Sequence, residues 1–80
     1  MDRYRAVTAL PHAHLGHATA LLRGDLRRQI VAGAELEVPD WETFRVIGPF
    51  EKFTGRGEIC FEYQASVACR RVRDLVAALL

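Results

Sequence analysis

Residues 58–69, Glu-Ile-Cys-Phe-Glu-Tyr-Gln-Ala-Ser-Val-Ala-Cys, alternate along their whole length. Ile59, Phe61, Tyr63, Ala65, Val67 and Cys69 are apolar or aromatic. Glu58, Cys60, Glu62, Gln64, Ser66 and Ala68 between them are mostly polar or small. A period of two puts these sets on opposite faces of a strand, so the segment predicts a strand with one buried face. The rest of the chain then has to cover that face.

Eighty residues provide one domain and one core, and a chain this short buries only about 60% of its unfolded surface. With half the residues hydrophobic and 26% charged, the composition is globular rather than disordered. No apolar run approaches the ~20 residues of a membrane helix. The start, Met-Asp-Arg-Tyr-Arg, has no apolar run after its charges, so no signal peptide is expected. The expectation is a cytoplasmic protein that makes no membrane contact.

The remaining periodicities set the order of elements. Residues 3–9 are rich enough in β-branched and aromatic groups for a short strand. From Pro11 to about Ala32 the period becomes 3.6, with Leu15, Ala18, Leu22, Leu26 and Ile30 on one stripe. No side-chain N-cap is expected ahead of Pro11. Gly24 interrupts the helix at a cost of about 1 kcal/mol relative to alanine, and Gly33 stands at the C-cap position. Residues 34–40 read as an acidic connection turned by Pro39.

A strand is predicted over 41–47. A loop bracketed by Gly48-Pro49 and Gly55-Arg56-Gly57 follows, holding Phe50, Lys52 and Phe53. Segments 41–47 and 58–69 then form an antiparallel hairpin. After Cys69, Val72, Leu75, Val76 and Leu79 follow i, i+3, i+4, i+7, which predicts a short helix. The fold class is therefore α+β: a single domain over residues 1–80, ordered β-α-β-β-α, with a three-stranded sheet and two helices packed on one face.

Charge is unevenly spread. Residues 1–33 carry +3, 34–62 carry −4 and 63–80 carry +2, for a net +1. Ten of the eleven basic residues are arginine, as in a GC-rich bacterial or phage genome. Arg23, Arg27 and Arg28 on the first helix, with Arg70, Arg71 and Arg73 opening the second, are the candidate phosphate contacts of a nucleic-acid-binding or regulatory protein. The near-neutral domain and acidic hairpin oppose that reading.

Catalytic and metal chemistry find little support. His12, His14 and His17 form an H-x-H-x-x-H cluster, but the spacing fits no closed zinc motif, so no metal or other cofactor is expected. Cys60 and Cys69 differ in parity, so they point to opposite faces and cannot bridge each other. Reduced thiols are expected, with Cys69 acting as a small buried hydrophobe. Glu58 and Glu62 lie about 13 Å apart along a strand, too far for a paired-carboxylate site. Gly55-Arg56-Gly57 is too short for a phosphate loop. No catalytic residue is assigned.

What remains is a non-enzymatic interaction module acting by self-association or by docking a partner protein. A strand of about twelve residues, twice the usual length, needs more edge pairing than 41–47 supplies. Leu21 and Val31 lie off the helix's core stripe, and Trp41, Phe50 and Phe53 add aromatic surface. These five residues are the candidate partner surface, and a homodimer is the expected assembly.

Overall fold

The computed structural model describes residues 2–33 and 35–79. The elements, in order, are β1 (Asp2–Leu10), α1 (Leu15–Ala32), β2 (Glu37–Phe53), β3 (Ile59–Arg71) and α2 (Val72–Leu79). The sheet is antiparallel throughout, in the order β1-β3-β2. This is the expected α+β architecture, and α1 packs against the sheet.

The alternating segment becomes the central strand. β1 pairs with it from Asp2↔Cys69 to Leu10↔Phe61, and β2 pairs along its other edge from Glu37↔Arg71 to Phe53↔Ile59. Both edges of β3 are thus satisfied within the chain, so its length asks for no outside partner. That removes one argument for a dimer.

The core lies where the apolar face of β3 meets the α1 stripe. Ala18, Leu22, Leu26 and Ile30 are buried against Tyr63, Ala65, Val67 and Cys69, with Ala6 and Leu10 of β1 beside them. Tyr4, Trp41, Phe44, Val46 and Phe61 pack around the margin. Leu15, which shares the stripe in sequence, is exposed because it stands in the first turn, at the end of the packed face.

The helix starts later than its periodicity suggests. Residues 11–14 form a bend, and His14 is the N-cap, with its Nδ1 accepting from His17 N–H at 2.9 Å. The expectation of a helix from Pro11 without a cap is thereby corrected: an imidazole nitrogen takes the role usually given to serine or aspartate. Gly33 is the C-cap, but with extended rather than left-handed backbone.

β2 departs furthest from expectation. It runs through Pro39, read above as a turn, and through the Phe50–Phe53 segment, read above as a loop. Both prolines are tolerated because β2 is an edge strand whose pairing is broken by bulges. The register shifts between Asp40 and Arg45 and again between Ile47 and Phe50. At the second shift Gly48 has φ +131° and is followed by a cis peptide to Pro49. A Cβ at Gly48 would stand 2.7 Å from the Glu62 carbonyl oxygen and 3.0 Å from Tyr63 Cδ1, so only glycine lets the bulge close over the ring.

The result is long and thin. Its Cα extents are 56 × 22 × 16 Å and its radius of gyration is 15.4 Å, against about 12 Å for a compact domain of this length. Eighteen helical residues span only about 27 Å at 1.5 Å each, so α1 covers roughly half the length of the sheet. α2 continues directly from β3, touches that strand and buries none of its residues among those described.

Candidate functional site

Strand pairing fixes which side chains share the sheet face opposite α1. Directly opposed residues of an antiparallel pair project to the same side. The core takes Tyr63, Ala65 and Val67, so Glu62, Gln64 and Ser66 face away, together with their partners on both flanking strands. Three rows result across the sheet. The first is Arg5–Ser66–Arg45, the next Val7–Gln64–Ile47 and the third Ala9–Glu62–Phe50.

This open face has an apolar middle and charged ends. Val7, Ile47 and Phe50 are 58%, 55% and 42% exposed. A shallow concavity of about 310 Å³ lies among Arg5, Val7, Arg45, Ile47, Gln64 and Ser66. Arg3 reaches across to donate to Ser66 Oγ at 3.2 Å. Arg45 Nη1 donates to the carbonyls of Glu42 and Phe44, which holds its stem over the first bulge. Gln64 donates to Glu62 Oε2 at 3.0 Å.

Of the residues singled out in the sequence as partner surface, only Phe50 belongs to this face. Phe53 is exposed on the opposite side, paired with Ile59 beyond the end of β1. Leu21 and Val31 lie on the outer side of α1, 42% and 84% exposed. Trp41 is half-buried beneath α1, edge-on to Phe44 with ring centroids 5.7 Å apart. The structure therefore divides these five residues among separate surfaces.

Most of the arginines proposed for phosphate contact have internal company. Arg23 lies 5.1 Å from the ring centres of both Trp41 and Phe44, and Arg27 lies 5.3 Å from that of Trp41. These cation–π contacts fasten α1 to β2. Arg28 is 3.5 Å from Asp25, Arg71 is 2.9 Å from Glu35, and Arg73 is 3.7 Å from Asp74. Arg70 is exposed, opposite Val38.

The histidines serve the start of the helix, with the His14 and His17 rings edge-to-face at 6.1 Å. Among the described residues, no three His, Cys, Asp or Glu side chains are grouped as metal ligands. Cys60 is half-buried on the open face and Cys69 is buried on the core face, as their parity requires, with no disulfide between them. No helix among the described residues is long and apolar enough to cross a membrane.

Sequence reading missed Val7, Arg5, Arg45, Ile47 and Gln64 as a group. The available signal was the 3–9 segment, where Arg3, Arg5 and Val7 alternate with Tyr4 and Ala6. Leu36, Val38, Val76 and Leu79 are also exposed, towards the α2 end of the molecule. No protein-family model, curated protein or solved structure matches this chain.

Proposed function

We propose that the chain is a small non-enzymatic interaction module whose working surface is the open sheet face, engaged by another protein surface. The observation that carries this reading is the aligned, exposed set Val7, Ile47 and Phe50 on the sheet face opposite α1. Isolated exposed leucines and valines are ordinary. A patch assembled from neighbouring strands and rimmed by arginine and glutamate is what marks a contact site.

Surface area supports the same reading. A folded monomer of 9.0 kDa has about 4,850 Å² of accessible surface. The chain exposes 5747 Å², an excess of roughly 900 Å², close to the ~800 Å² that one partner contributes to a standard interface. The concavity is shallow and lined by arginine, glutamine, serine and aliphatic groups. Such a lining suits contact better than nucleophilic chemistry, which pairs a nucleophile with a base.

The test is molar mass by light scattering behind a sizing column, across protein concentration and with added duplex DNA. A mass rising above 9.0 kDa with concentration is the expected result. A monomer that binds duplex tightly, with affinity falling steeply as salt rises, would replace this reading with nucleic-acid binding.

A further inference from the structure

We infer that the open face pairs with the same face of a second copy, about a two-fold axis that runs across the strands through Val7, Gln64 and Ile47. The inference rests on the reading above, that this face is the working surface, and adds the occupant and its orientation.

The argument comes from charge order along the strands. On one side of the Val7–Gln64–Ile47 row stand Arg5 and Arg45; on the other stand Glu62 and Phe50. A two-fold contact must place a patch against itself, and two axes in the sheet plane achieve this. An axis along β3 sets Arg5 of one copy opposite Arg45 of the other, a like-charge contact. An axis across the strands reverses the strand direction, so Arg45 meets the partner's Phe50 and Ser66 meets the partner's Glu62.

The second arrangement is self-complementary. Each Arg45 lies over an aromatic ring, a cation–π contact strengthened by loss of water, with a glutamate one strand away. The apolar middle row meets its own copy at the axis. The same rotation carries Lys52, opposite Cys60, towards the end of the partner sheet that holds Asp40, opposite Ala68. Like charges are kept apart and opposite charges brought together, which is how electrostatics selects orientation at an interface. Two sheets packed this way lie about 10 Å apart with their strands within about 30° of each other.

The test is sedimentation equilibrium on the full chain and charge-reversed variants, with far-UV circular dichroism to confirm folding. Ile47→Glu should weaken the dimer by at least about tenfold. Glu62→Arg and Arg45→Glu should each weaken it by a similar factor. The double variant should lose clearly less than the sum of the two single losses, because Arg45 and Glu62 are neighbours only between copies, while the contact of Arg45 with Phe50 stays lost. Arg5→Glu gives a second reversal at the same end of the patch, free of the carbonyl bonds made by Arg45. A dimer dissociated by Leu21→Glu and unmoved by Ile47→Glu would overturn the inference and leave self-association standing. So would tightening by Arg45→Glu, or a loss in the double variant as large as the sum of the two single losses. An unmodified chain that stays monomeric at hundreds of micromolar would overturn the inference together with the self-association reading.

Discussion

At the scale of single residues, burial decides which member of the alternating face matters most. The alternation marks Phe61 and Val67 for burial beside Leu22 and Leu26; Val67 and both leucines are fully buried, yet the largest fully buried side chain is Tyr63, at 1% exposure. Phe61 pairs with the last residue of β1 and is only half-buried. Tyr63→Ala should therefore cost about 3–5 kcal/mol, enough to unfold so small a domain. Phe61→Ala should cost about half as much and leave a cooperative melt. Equal losses in paired thermal melts would contradict this ranking. His14 offers a second residue-scale test, because its ring acts through one lone pair. His14→Ala should lose about 1 kcal/mol, and His14→Asn should restore most of it. For a domain of this size that means a fall of roughly 4–8 °C in Tm and its recovery.

At the scale of elements, uniform periods were legible and interrupted ones were not. The α1 stripe at 18, 22, 26 and 30 and the alternation of 59–69 each keep one period, so facing follows from spacing, and burial departs from it only at the ends of β3, where Ile59 is 48% exposed and Ala68 is buried. β2 keeps none. Its bulges at 41–44 and 48–49 insert extra residues, so one face reads as two in the sequence and Gly48-Pro49 resembles a turn. The bulges form because β3 imposes its register from the far side, which local propensity does not encode. The open-face site was lost for the same reason: Arg45, Ile47 and Phe50 share a face only after the second shift is counted. Within α1, Gly24 has no such tertiary reason to be glycine. The helix runs unbroken through it, and an added Cβ would meet only the Arg28 guanidinium, at 3.7 Å. Gly24→Ala should stabilise the domain by about 0.5–1 kcal/mol, read as a Tm several degrees higher. A lower Tm would mean that this stretch of α1 packs more closely than its open surroundings indicate.

At the scale of the whole molecule, shape separates the possible assemblies better than mass does. The chain is 56 Å long but only 16 Å thick, so each mode of pairing leaves a different outline. Contact through the ends would nearly double the length, and contact through the β1 edges would widen the sheet. Face-to-face pairing about the Val7–Gln64–Ile47 row does neither. That row lies near the middle of the long axis, with β2 and β3 extending from it towards the Phe53–Ile59 end one way and the Glu37–Arg71 end the other. Rotation about it exchanges the two ends and keeps the length. The new mass is added in thickness alone, with each copy's centre roughly 8 Å from the axis when sheets stand about 10 Å apart and the helices lie outside them. From 15.4 Å for one copy, the radius of gyration should therefore rise only to about 17–18 Å. Small-angle scattering over a concentration series should show a doubled forward intensity per unit mass with almost no change in maximum dimension. A maximum dimension that grows by tens of ångströms as the mass doubles would assign the contact to an edge or an end of the sheet instead of its open face.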